Sequence, residues 1–127
     1  MATNKIALVT GGSRGLGKNM ALAIARKGID VVITYNSKKD EAIAVVAEIE
    51  KTGRKAAALQ LNTGDVKSFD TFFSSLTIIL SDHFSTDHFD FLINNLQTFF
   101  PILFIVSNQK SHHFIIALHA RGLFICN

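Results

Sequence analysis

One cysteine and one tyrosine occur among the 127 residues, and no acid follows Asp90. A lone Cys126 excludes an intrachain disulfide and fits a reducing, cytoplasmic setting. Long apolar runs are missing too. The longest, Phe99 to Val106, falls far short of the ~20 residues that a membrane-spanning helix needs. The first, Ile6 to Val9, is broken by Gly11 and Gly12 and so is not the apolar core of a leader. Basic residues are scattered and the net charge is only +3, which argues against a nucleic-acid partner. Hydrophobic content of 48% with a mean hydropathy of +0.29 excludes a disordered chain. The length suits one domain over residues 1–127.

What is present is a glycine-rich loop, Thr10 to Gly17, between an apolar run and a helical pattern. A strand that runs through glycines into a helix presents free N–H groups and a positive dipole end to an anion. Gly11 and Gly15 allow a tight turn, and Gly17 lets helix and strand pack closely. The loop supports three readings. It can hold the pyrophosphate of a dinucleotide. It is a near-miss of the nucleoside triphosphate loop, Gly12-x-x-x-x-Gly17-Lys18, in which Asn19 replaces the hydroxyl that reaches magnesium. It can also be a turn without a ligand.

The chain then alternates strand and helix. Strands are read at Lys5–Thr10, Asp30–Tyr35, Ala56–Leu61 and Phe91–Asn94. The first helix carries Leu16, Met20, Ala23, Ile24 and Lys27 and stops at Gly28. The second opens with a capping box at Ser37 and Asp40, runs through Ile43, Val46, Ala47 and Glu50, and stops at Gly53. The third sets Phe69, Phe72, Phe73, Leu76 and Leu80 on one face. This alternation implies right-handed crossovers and a doubly wound parallel sheet.

From Lys5 to Asn95 the order of parts resembles the short-chain dehydrogenase/reductase family. Thr10-Gly11 with Gly15 and Gly17 is similar to its TGxxxGxG loop, and Asp90 to Asn95 is similar to its fourth strand and NNAG motif, with Leu96 and Gln97 in place of Ala and Gly. The resemblance implies an α/β, Rossmann-like sheet of strand order 3-2-1-4, truncated after about four strands. It implies a nicotinamide dinucleotide held by Gly11, Ser13, Arg14, Gly15, Leu16, Gly17, Tyr35, Asn36, Ser37, Lys38, Asn62, Thr63 and Asn94. Asn62 takes the place of an Asp that contacts adenine, and is equally readable as a turn residue. Family members that prefer NAD have an acid at the end of the second strand. Here that end reads Tyr35-Asn36-Ser37-Lys38, and with Arg14 it forms a donor-rich corner suited to the 2′-phosphate of NADP. NADP is the expected cofactor and NAD the second choice.

The resemblance also implies a Ser–Tyr–Lys set for carbonyl reduction. Tyr35 stands four before Lys39, yet at the adenosine end of the second strand, so no complete set is read. Residues 96–127 form a divergent tail. Within it, Ile115 to Phe124 resembles the family helix after the fourth strand, with His119 where the family has an Asn near a proton-relay water. His112, His113 and His119 lack the Cys or acid that would complete a zinc site. The expected function is thus the cofactor-binding part of a carbonyl/alcohol oxidoreductase. The alternatives are a non-catalytic nucleotide-binding or interaction module, an inactive truncated product, or a P-loop phosphotransferase. An uncovered edge on the fourth strand and the apolar tail predict self-association through residues after Asn95.

Overall fold

The computed structural model describes residues 5–62, 67–86, 89–94, 114–119 and 122–126. Three strand–helix units come first. They are β1 (Ile6–Thr10) with α1 (Gly15–Arg26), β2 (Asp30–Tyr35) with α2 (Lys39–Glu50), and β3 (Ala56–Gln60) with α3 (Lys67–Phe84). β4 (Phe91–Asn94), β5 (Phe114–His119) and β6 (Gly122–Cys126) complete one sheet of order β3-β2-β1-β4-β5-β6. The neighbours β3, β2, β1 and β4 run parallel, the order expected from the sequence.

β1 and β2 are buried almost throughout because helices cover both faces of the sheet. One face carries Leu8, Val32, Phe72, Leu76, Leu80 and Leu92. Opposite it, Val9, Ile33, Ala21, Leu22, Val45 and Ile49 form a second core beneath α1 and α2. Full burial of each of the larger side chains contributes roughly 1.5–3 kcal/mol.

Two aspartates tie the amino ends of the strands. Asp90 Oδ2 accepts the Ile6 N–H at 2.9 Å, and Asp30 Oδ1 accepts the Lys55 N–H at 3.0 Å. Each sits at the start of its strand and reaches across to the start of the neighbour. Asp90→Ala should therefore destabilise the chain by about 1.5–3 kcal/mol, as for a hydrogen bond to a charged group. Asp90→Asn, which keeps an acceptor oxygen, should lose less. Urea unfolding of both variants checks this, and equal losses would mean that a neutral acceptor does not replace the carboxylate.

The helices differ from expectation in which face they bury. α1 turns Gly17, Ala21, Leu22 and Ala25 inward, whereas Leu16 is 55% exposed. α2 buries Ala42, Val45 and Ile49, and Ile43 is 52% exposed. Small residues let a helix lie close to the sheet, so Ala21, Ala25 and Ala42 share the contact with Leu22, Val45 and Ile49. The capping box at Ser37 is also absent: the N-cap of α2 is Lys38, with no side-chain cap, while Asp40 and Glu41 occupy the first turn. α3 follows the expected face, with Phe72, Leu76 and Leu80 buried.

The helix expected at Ile115–Phe124 is corrected to two strands. β5 pairs parallel with β4, Phe91 opposite Phe114 and Asn94 opposite Ala117, and β6 returns antiparallel to it. Short apolar runs rich in Ile and Phe fit a pleated sheet at least as well as a helix. Residues 95–113 exceed the dozen or so that a parallel crossover needs. With β5 in place, β4 is not the open edge from which self-association was expected. The run Phe99–Val106 lies outside the described residues.

Candidate functional site

Glycine loop and strand ends meet at the carboxyl end of the sheet. A cavity of about 250 Å³ opens there, lined by Gly11, Ser13, Arg14, Thr34, Tyr35, Asn36, Ser37, Lys38 and Leu61. In open α/β sheets, ligands bind outside the carboxyl ends of the strands. Gly11 (φ 66°) and Gly15 (φ 61°) take left-handed backbone conformations that a side chain would strain. These two reverse the chain between β1 and α1.

Gly12 is constrained by space instead. A Cβ there would lie 2.7 Å from Ile33 Cγ2, 2.8 Å from Ile33 Cβ and 3.3 Å from the Val9 carbonyl oxygen. Ile33 is fully buried in β2 and has no room to withdraw. Gly12→Ala should cost about 1–3 kcal/mol of stability by overpacking. A urea midpoint equal to that of the wild type would show that the loop lifts freely off β2.

Arg14 is the N-cap of α1, with extended backbone and no side-chain cap, and the first turn of α1 holds no acid. The Arg14 carbonyl accepts the Lys18 N–H at 3.3 Å, which starts the helical ladder. Gly15, Leu16 and Gly17 form that first turn, and Gly17 is buried. The end of the helix thus keeps its partial positive charge, and no lining residue of the cavity is acidic. Ser13, Ser37, Arg14 and Lys38 add side-chain donors. This donor set fits a phosphate-bearing ligand.

Seven residues singled out in the sequence line this one cavity: Gly11, Ser13, Arg14, Tyr35, Asn36, Ser37 and Lys38. Gln60 Nε2 donates to the Asn36 carbonyl at 3.0 Å, and the Leu61 N–H to the Tyr35 carbonyl at 2.8 Å, which fixes the end of β2 against β3. Asn62 lines a separate cavity of about 520 Å³ between β3 and α3, with Gln60, Lys67 and Thr71. Thr63 lies outside the described residues. Asn94 ends β4 opposite Thr10 of β1. His119 ends β5 opposite Gly122 of β6, so it has no place on a helix after β4. That corrects the register in which it stood for the family's Asn. Among the described residues no cluster of His, Cys, Asp or Glu could hold a metal ion, and no helix is long and apolar enough to cross a membrane.

Sequence reading missed Thr34 and Leu61. Thr34 resembled any β-branched residue of a buried strand, and only its place beside the loop separates it from Val31 or Val32.

Comparison with known proteins agrees with this geometry. The sequence model of the family described as short chain dehydrogenase matches residues 5–110. A 3-oxoacyl-[acyl-carrier-protein] reductase of Synechocystis sp. is 36% identical over 98% of this chain and 48% of its own length. Among solved structures, the landomycin C-6 ketoreductase LanV with bound NADP and rabelomycin superposes with a TM-score of 0.70. It is 33% identical over 76% of this chain and 39% of that one. A short chain dehydrogenase from Burkholderia cenocepacia in complex with NADP gives a TM-score of 0.61 and 40% identity, over 75% and 36% of the two chains. The chain spans about half the length, or less, of the relatives described here.

Proposed function

The chain belongs to the short-chain dehydrogenase family, and from that premise we propose that it binds NADP(H) as the cofactor-binding part of a carbonyl/alcohol oxidoreductase. When bound, the nicotinamide supplies or accepts a hydride. This chain's own residues bind and orient the dinucleotide. The glycine loop and the first turn of α1 would hold the pyrophosphate, since N–H groups and the helix dipole there favour an anion. Arg14, Ser37 and Lys38 would hold the 2′-phosphate.

One observation carries the choice of NADP: the corner at the end of β2 holds Arg14, Ser37 and Lys38 and no acid. An acid there would hold the ribose 2′-hydroxyl of NAD and repel a phosphate. NADP-bound structural relatives, LanV and the Burkholderia cenocepacia dehydrogenase among them, support that choice. Lys18, which would be the lysine of a triphosphate loop, pairs with Glu48 of α2 at 3.6 Å, and this favours the dinucleotide over the phosphotransferase reading. Calorimetric titration of the full chain with NADPH, NADH and magnesium ATP tests the proposal. NADPH should bind most tightly. Tight, magnesium-dependent ATP binding would overturn the reading.

A further inference from the structure

We propose that Thr34 is a positioning residue for the glycine loop, a role that rests on the dinucleotide reading above. Thr34 is 2% exposed, and its polar groups are turned to the loop. Its Oγ1 accepts the Gly11 N–H at 3.0 Å, and its carbonyl accepts the Gly12 N–H at 3.1 Å. Two successive amides of the loop are therefore fastened to one residue of β2. Gly12 lies flat against Ile33, the neighbouring residue of that strand, so the loop is drawn onto β2 by contact as well as by hydrogen bonds.

This fastening decides which donors remain for a phosphate. The amides of Gly11 and Gly12 face β2, so the anion is met from Ser13 onward and by the first turn of α1, which no side chain caps. Gly11 also carries the left-handed turn (φ 66°), and the Thr34 hydroxyl holds it there. Valine at position 34 keeps the shape of the side chain and the carbonyl bond to Gly12. It removes the hydroxyl oxygen that accepts the Gly11 N–H. The partly buried N–H then has to find another partner, and the turn shifts with it. Pyrophosphate is common to both dinucleotides, so the effect falls on both, unlike that of a charge aimed at the 2′-phosphate.

The test uses the full chain as wild type, Thr34→Val and Thr34→Ser, each kept below its melting temperature. NADPH and NADH are titrated by fluorescence, and exchange of the Gly11 amide is followed by NMR. Thr34→Val should bind both cofactors at least about tenfold more weakly, with their affinity ratio unchanged, and Gly11 should exchange faster. Thr34→Ser, which keeps the hydroxyl, should restore both readouts. A purely structural role would lower the melting temperature of Thr34→Val and leave its NADPH affinity at the wild-type value; that outcome overturns the proposal. Rapid exchange at Gly11 in the wild-type chain overturns it whatever the fate of the valine variant. A wild-type chain that binds neither dinucleotide overturns the cofactor reading itself, and the role of Thr34 with it.

Discussion

Arg14→Ala should weaken NADPH binding by about ten- to a hundredfold and leave NADH nearly untouched. The figure follows from a hydrogen bond to a charged group, worth about 1.5–3 kcal/mol, at 1.36 kcal/mol per decade of affinity. Arg14 is well placed for that bond. As the N-cap of α1, its backbone is fixed by the helix that follows, and its side chain shares a cavity with Ser37 and Lys38. A planar guanidinium can grip a phosphate with two parallel bonds, which a lysine cannot. The residue is exposed, so added salt should erode the preference for NADPH. Titration of both cofactors at two ionic strengths checks the claim. Equal loss of NADPH and NADH would take Arg14 away from the 2′-phosphate and leave it a general contributor to the anion field.

The two cofactor variants read different parts of one cavity. Thr34→Val acts on the backbone that both dinucleotides share, and Arg14→Ala on the phosphate that only one of them carries. A matched pair of titrations thus separates cradle from selectivity. The cavity permits this because β2 serves both parts. Thr34 faces the loop, and the residues just after it, Tyr35 to Lys38, line the donor-rich corner.

Much of the architecture was legible because the glycine loop and the β-branched run Val31-Val32-Ile33 each point to one local structure. Strand positions follow from apolar runs, and parallel order follows from the helices between them. Helix faces were less legible. In α1 and α2 the sequence offers two adjacent apolar stripes, each mixing alanines with larger residues. Only the closeness of the sheet decides that Ala21, Ala25, Ala42 and Val45 go inside. The tail was read wrongly for a related reason. The resemblance to the family places Ile115 to Phe124 on a helix, whereas its composition is strand-like, and pairing with β4 decides in favour of the strand. Of the candidate site, the donor-rich corner was legible from charge and spacing. The Thr34 hydroxyl was not, because its meaning comes from a loop more than twenty positions away in sequence.

No NADPH oxidation is expected from the chain with simple ketones, aldehydes or quinones. General acid help from a placed side chain is typically worth about 10²–10⁴-fold. The resemblance assigns that help to a tyrosine with a lysine four residues on and a serine upstream. Tyr35, the only tyrosine, meets the spacing with Lys39 but not the geometry. Side chains four apart are neighbours on a helix, whereas Tyr35 ends β2 and Lys39 begins α2. Tyr35 is paired across the sheet with Gln60 and lines the same cavity as Arg14 and Lys38. On the dinucleotide reading proposed above, that corner takes the adenosine phosphate, and a phenol there would be remote from the nicotinamide. Tyr35→Phe should accordingly leave NADPH binding within about twofold of the wild type, since Tyr35 is partly buried against the core and the proposed reading gives the phosphate to Arg14 and Lys38. Stopped-flow measurement of NADPH absorbance with a panel of carbonyl compounds checks the expectation. Turnover that survives Tyr35→Phe would place the acid elsewhere in the chain, and turnover abolished by it would make Tyr35 the acid.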